Sequence, residues 1–560
     1  MGAVERASTG SASGVPEEAG LGSSSSDAER IEPSRASEHG SLLPSADGAE
    51  LEPPRSGLHH RVPLSRPPGD AEPRRSLVLT GGGRRVAYQA GALQAFEEAG
   101  VTFDHADATS AGTVNLAMLF SGLGPAQMCA RWRSLGEPRS SSLLPPLESW
   151  SSRRSPALAA PQRQHLLAEL GVDVALINAA TGMEGTFNIG NFRSKLNRAV
   201  SHRELQGDQL LAAISLPGFT PPVRIDGDDY VDSACIQSAN VLEAVRRGAE
   251  EIWLVWCSGG TGRYKGEPAT PFEQMIEMSA TGALNQALRY IAELNGRIGR
   301  GDSPWGQRWP LRLKVIKPDY PLPLDGDQPG AVDGALLDLG YADAWRRLRE
   351  RTTDDALDAA ATSIRRAPAG VAFNEHFAGA LRESTPELTD SGTGFAVELS
   401  STVFIDELPA FLAEPSRGAA LAGSMLWNGT SCGLRDGWFR AEAQATGERR
   451  LIYTASFEPR PGEACHLRLE RSLSAAGAVL LRGLLPARVS VHRGTDAAAP
   501  MLASGVLNMR SDAVTTCCRT LQALEPDSPR DGARAIVQLG RFLFGDLYDT
   551  CTGRPWWKVW

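Results

Sequence analysis

The chain contains no run of about 18 consecutive apolar residues, so no membrane-crossing helix is predicted. Lysine is scarce. Only Lys195, Lys265, Lys314, Lys317 and Lys558 contribute to the 57 basic residues, and the rest are arginine, a bias that reflects genome composition rather than chemistry. With a formal net charge of -9 the chain lacks the basic excess that grips nucleic-acid phosphates, which excludes nucleic acid as a partner. The eight cysteines (Cys129, Cys235, Cys257, Cys432, Cys465, Cys517, Cys518 and Cys551) form no C-x-x-C pair. Zinc ribbons and thioredoxin-like redox motifs are thereby unsupported, and reduced thiols are expected. The nine histidines are scattered and show no H-E-x-x-H spacing. No metal and no cofactor is expected. Met1 to Arg6 lacks the apolar core of a signal peptide, and Arg6 stands where myristoylation needs Ser or Thr. A cytoplasmic protein is the default expectation.

What is present divides the 560 residues into unlike parts. Residues 1–75 are rich in Ser, Gly, Pro, Glu and Arg, too poor in apolar groups to offset their ordering entropy, and read as a disordered tail. Order begins at Ser76-Leu77-Val78-Leu79-Thr80, a strand feeding Gly81-Gly82-Gly83. A helical pattern over Val86 to Glu98, a weak strand over Val101 to Thr109 and a helix over Thr113 to Phe120 complete a βαβα rhythm, which implies a parallel α/β sheet. Val172 to Ala180, Ile252 to Trp256 and Leu311 to Val315 read as strands, and Val241 to Gly248 and Ala335 to Arg349 as helices. The α/β part is placed at 76–350 and a helical linker at 351–390. An antiparallel β module is expected at 391–500, from apolar alternation with turn residues every ~8–12 positions. A helical part at 501–560 ends in the tryptophan-rich Pro555 to Trp560.

Three segments can carry chemistry. Gly81-Gly82-Gly83-Arg84-Arg85 lets backbone N–H groups converge on an anion at a helix start, as a plain tight turn, a nucleotide loop or an oxyanion hole. Arg84 and Val86 break the dinucleotide fingerprint, and no phosphate-loop lysine is present. Ala108-Thr109-Ser110-Ala111-Gly112 is one substitution from G-x-S-x-G, the nucleophile elbow; the alternative for Ser110 is a helix N-cap. Asp232, at a strand end before Ser233-Ala234, is a proton acceptor or a turn former.

The order of these three segments resembles the patatin-like phospholipases. The resemblance extends over Leu79 to Arg85, Gly91-Ala92-Leu93, Phe96 to Gly100, Ala213 to Phe219, Pro222 to Ile225 and Leu336 to Leu348, so it covers about 76–350. It implies a three-layer α/β/α domain with a mostly parallel sheet. Ser110 is then the nucleophile, Asp232 the base of a Ser-Asp dyad, and Gly81, Gly82, Gly83 and Arg85 the oxyanion hole. The implied reaction is hydrolysis of phospholipid or another acyl ester through an acyl-enzyme, with a peripheral membrane contact compatible with it. The alternative on the same fold is a weakly active or inactive lipid-binding or scaffold protein. The family usually has Gly where Val86, Ala108 and Ser233 stand here. The 390–550 region, with Ser400 to Phe404 and Tyr453 to Phe457, faintly resembles the accessory β module beside some bacterial GMC-type sterol oxidases, without a flavin fingerprint.

Other candidates rank lower. His105, in the strand before Ser110, is expected to point away from it. His376 would complete a Ser…Asp…His order but falls in the linker. Arg131-Trp132-Arg133 is either a headgroup contact or a solvated helix face. The terminal tryptophans suit a water–lipid interface or docking on the protein.

Overall fold

The computed structural model describes residues 73–134, 160–257, 270–318, 322, 329–349, 370–383, 394–443, 449–473, 486–509, 520–524 and 528–544. The expected tail at 1–75, but for its last three residues, and the tryptophan-rich terminus lie outside these.

The first part is a sheet between two helical layers. Its strands are β1 Arg75–Leu79, β2 His105–Thr109, β3 Glu184–Asn191, β4 Asn197–Ser201, β5 Val223–Ile225, β6 Asp228–Asp232, β7 Glu251–Val255 and β8 Arg312–Ile316. Its helices are α1 Ala87–Glu98, α2 Gly112–Phe120, α3 Pro125–Ser134, α4 Ala160–Glu169, α5 Val174–Ala179, α6 Gly207–Ala213, α7 Val241–Arg246, α8 Thr270–Ile298 and α9 Pro329–Arg349. The sheet order is β5-β6-β3-β2-β1-β7-β8, with β4 on β3. The centre, β3-β2-β1-β7-β8, is parallel, while β4, β5 and β6 pair antiparallel, so the sheet is mixed at one side. Alternation along β1 makes the layers. Leu77 and Leu79 join the core with α1, α2 and α9, and Val78 joins the core with α7 and α8.

The helices α1 and α9 cross at two glycines. A Cβ at Gly91 would lie 1.9 Å from the Leu337 carbonyl oxygen, and one at Gly340 would lie 1.9 Å from that of Tyr88. Only hydrogen fits at this crossing. The chain passes from β1 to β2 on one side and returns to β7 on the other. The β1 and β2 carboxyl ends therefore open onto a crevice at the point where the strand order reverses.

The second part is a closed antiparallel barrel. Its eight staves are β9 Gly370–Glu383, β10 Phe395–Ile405, β11 Ala419–Trp427, β13 Arg435–Ala443, β14 Arg449–Phe457, β15 Cys465–Leu473, β16 Pro486–Arg493 and β17 Met501–Met509, joined in that order and closed by β17 on β9. The short strands β12 Thr430–Gly433 and β18 Gln522–Leu524 pair with β11 and β9. Helices α10 Leu408–Ala413 and α11 Pro529–Phe544 pack on the barrel core through Phe411, Ala535, Leu539 and Leu543. Period-two alternation directs Leu451, Tyr453, Ala455 and Phe457 inward, and charges such as Arg440, Glu442, Arg468 and Glu470 outward. Inside, Arg471 pairs with Glu375 and reaches the Tyr453 hydroxyl at 2.9 Å. One outer face is apolar: Ala372, Phe404 and Ala422 belong to the core of the α/β part. Arg435 clamps the two parts. It bonds the Tyr341 hydroxyl (3.2 Å), Glu98 (3.1 Å) and Glu458 (3.0 Å), and lies 3.6 Å from the Trp345 ring centroid.

Several expectations are corrected. Residues 370–383 form β9, not a helical linker, because Val371, Phe373, Glu375 and Phe377 alternate inward. The antiparallel module thus begins near 370 rather than at 391. Residues 501–509 are a stave, not helix, and 522–524 are strand. Val174–Ala179 is a helix, not a strand, started by Asp173 whose side chain accepts the Ala175 N–H at 2.8 Å. The 29-residue helix α8 and the hairpin of β3 and β4 had no counterpart in the sequence reading.

Candidate active site

The loop after β1 and the turn after β2 meet at the crevice. Ser110 has φ 55°, left-handed backbone that a non-glycine residue adopts only under constraint. The helix α2 begins two residues later, at Gly112. The turn lifts the hydroxyl off the sheet, and Ser110 Oγ donates to Asp232 Oδ2 at 2.5 Å. Asp232 ends β6, and its other oxygen, Oδ1, accepts the Ala234 N–H at 2.8 Å. Its backbone N–H is anchored to the Ser215 carbonyl at 2.8 Å. Burial pushes the Asp232 carboxyl up to about 7, although the bonds from Ser110 and Ala234 pull the other way. A carboxylate near neutrality is matched to taking and returning a proton.

The glycine loop lies against the serine. A Cβ at Gly81 would be 2.8 Å from Ser110 Cβ and 3.0 Å from Ser238 Oγ. The Gly81 N–H donates to the Ser238 carbonyl (3.2 Å), and the Arg85 N–H to the Gly82 carbonyl (3.1 Å). The N–H groups of Gly82 and Gly83 have no hydrogen-bond partner among the described residues. Arg85 turns its guanidinium to Glu277 of α8 at 2.8 Å. Behind the loop runs a buried polar chain. The Trp132 indole N–H donates to Asn115 Oδ1 (2.8 Å), Asn115 Nδ2 to Gln89 Oε1 (3.1 Å), and Gln89 Nε2 to the Thr80 carbonyl (2.7 Å). Trp132 is therefore a buried brace, not part of a headgroup contact or solvated face.

The three departures from glycine fit without strain. Val86 has φ -68°, ordinary helical backbone, so its β-branch meets no left-handed requirement. Ala108 is buried within β2. The Ser233 hydroxyl donates to the Asn188 carbonyl at 3.3 Å, away from the Asp232 carboxyl. His105 is buried with its ring between Ser76 Oγ (2.7 Å) and Thr186 Oγ1 (3.2 Å), and burial holds it well below its ordinary value. His376 sits on β9 and bonds Ser400 of the neighbouring stave at 3.0 Å. Ser238, Gln89, Asn115 and Glu277 escaped the sequence reading. No local motif marks them, because their partners come from distant elements. Among the described residues, no group of three or more metal-ligating side chains is present, and no helix is long and apolar enough to cross a membrane.

A serine hydroxyl on a strained strand-to-helix turn, bonded to a buried carboxylate beside a glycine loop, is the kind of site that patatin-like phospholipases carry. Residues 77–245 match that family, described as patatin-like phospholipase. No curated protein matches the chain. Among solved structures the chain is similar to the crystal structure of VipD from Legionella pneumophila, at 11% identity and a TM-score of 0.28, covering 50% of this chain and 67% of that one.

Proposed function

We propose that the chain is a serine acyl hydrolase acting on lipid esters. The observation that carries this is the 2.5 Å hydrogen bond from Ser110 Oγ to Asp232 Oδ2 at the left-handed elbow. Ser110 Oγ attacks the ester carbonyl carbon while its proton passes to Asp232. The Gly82 and Gly83 N–H groups receive the negative charge that develops on the carbonyl oxygen. Gly81 contributes by having no side chain, and Arg85 by holding the loop to Glu277. Asp232 then protonates the departing alcohol, leaving the acyl group on Ser110. Water attacks this ester and gives its proton to Asp232, which returns it to Ser110 Oγ as the acyl–Oγ bond breaks, releasing the fatty acid and restoring the serine hydroxyl and the carboxylate.

Labelling with a fluorophosphonate tests the proposal. The unsubstituted chain should be modified at Ser110, Ser110→Ala should not react, and Asp232→Asn should react far more slowly. Absence of labelling in folded protein would favour the inactive lipid-binding alternative.

A further inference from the structure

Ten large apolar side chains are exposed among the described residues, and four of them flank the dyad. Phe192 (56% exposed) and Leu196 (66%) form the turn between β3 and β4. Met275 (62%) and Met278 (72%) lie one helical turn apart near the start of α8. Strand pairing fixes where the turn is. Asn188 pairs with Thr109, the residue before Ser110, and Ile189 pairs with Asp232. Phe192 is three residues further along, about 10 Å beyond the dyad at the strand rise. The helix α8 is tied to the same rim. Glu277 holds Arg85 at 2.8 Å, and Ser279 Oγ donates to the Cys235 carbonyl at 3.1 Å.

The turn is built, and it is amphipathic. Asn191 Oδ1 accepts the N–H groups of Arg193 (3.0 Å) and Ser194 (2.9 Å), and Lys195 takes a left-handed φ of 62°. Lys195 Nζ lies 3.8 Å from the Phe192 ring centroid and bonds the Phe192 carbonyl. Arg193 pairs with Asp228 at 3.0 Å. Among the described residues, Lys195 has no carboxylate partner and Arg198 meets only the Tyr230 hydroxyl, at 3.5 Å. Two unneutralised cations thus sit beside an exposed Phe and Leu, on a chain whose net charge is -9.

We propose that the tip of this hairpin docks on an anionic lipid surface and holds the mouth of the Ser110–Asp232 site against it. Phe192 and Leu196 enter the headgroup–acyl boundary, while Lys195 and Arg198 reach the phosphates. Met275 and Met278 supply the apolar contact on the opposite rim. The occupant is charged and apolar at once, which fits lipid better than a neutral soluble ester. The proposal rests on the lipid-hydrolase reading.

The test is co-sedimentation of the full chain with phosphatidylcholine vesicles, with and without phosphatidylglycerol. It is run in the Ser110→Ala background so that binding is read without hydrolysis. Binding should need phosphatidylglycerol. It should fall roughly tenfold or more in Phe192→Ala/Leu196→Ala, as expected for two lost apolar anchors. Lys195→Glu/Arg198→Glu should abolish the preference for phosphatidylglycerol. All four positions are exposed, and unchanged circular dichroism checks that the variants fold. No vesicle binding, binding indifferent to phosphatidylglycerol, or full binding by both double variants would overturn the proposal. Hydrolysis of a short-chain soluble ester by the unsubstituted chain is measured apart. Its absence would overturn the hydrolase reading alone and leave the vesicle result standing.

Discussion

Ser110 Oγ donates to Asp232 Oδ2 at 2.5 Å across 122 residues of chain. Neither residue reaches the other through its own element. β2 delivers the serine, β6 delivers the aspartate, and β3 between them pairs with both.

This pair sets a pH dependence. In the proposed reaction Asp232 takes the proton only when ionised, and burial raises its carboxyl to about 7. Ester hydrolysis should therefore rise as pH increases through about 7 and level off above it. A kcat/KM profile between pH 5 and 9 would show this; a flat profile would remove Asp232 from the proton transfer. Asp232→Asn should lower kcat by about 10³-fold or more.

The same raised value acts on stability with the opposite sign to that of a salt-bridged carboxylate. The folded chain keeps the Asp232 proton up to about 7, whereas an unfolded aspartate releases it near 4. The native state thus binds more protons in that window, and this group's contribution falls as pH rises from about 4 to 7. Asp232→Asn escapes that loss. Its Tm relative to the unsubstituted chain should be higher at pH 8 than at pH 5, measured by calorimetry.

Gly81 is spatially rather than conformationally constrained. A methyl at Gly81 would sit 2.8 Å from Ser110 Cβ. Gly81→Ala should fold, yet lose about 10²-fold in kcat by displacing the nucleophile or the N–H donors beside it. Activity close to that of the unsubstituted chain would mean that the loop does not serve the reaction.

Arg435 should govern how firmly the barrel holds the α/β part. Arg435→Ala removes the cation from Glu98 and Glu458 and the stack on Trp345, while the Tyr341 hydroxyl stays bonded to Glu98 at 2.6 Å. Because Glu98 is partly solvated, the expected cost is about 1–3 kcal/mol, read as a lower apparent Tm or an earlier separate transition. Arg435→Lys should not restore it, since an ammonium cannot make the same forked contacts.

Gly340→Ala tests the helix crossing. The added carbon would fall 1.9 Å from the Tyr88 carbonyl oxygen, and α1 and α9 would have to separate. A loss of about 2 kcal/mol or more is expected in chemical denaturation.

Much of the crevice was legible because its determinants are local. An apolar run ending in three glycines makes a strand and a tight turn wherever it occurs. Small residues around Ser110 permit the elbow, and the run Ile252 to Trp256 is typical of an interior parallel strand, as β7 is. The barrel was legible as alternation but misjudged in extent. Glu375 sits among the inward positions of β9, and a charged residue in an apolar alternation reads as linker until its partner Arg471, on a stave far along the chain, is known. Val172 to Ala180 misled for the converse reason: its apolar run is strand-like, but Asp173 caps a helix.

The sequence by itself determined the first strand, glycine loop, helix, strand and small-residue turn, and marked Ser110 and Asp232 as candidates, because each depends on spacing and on backbone freedom within a few residues. Only the tertiary structure decided which loop N–H groups stay unbonded, where Ser233 sends its hydroxyl, and that the Lys195 hairpin stands at the rim. Each of these turns on a partner brought in by another strand or helix, and such partners are chosen by packing, not by neighbours in the chain.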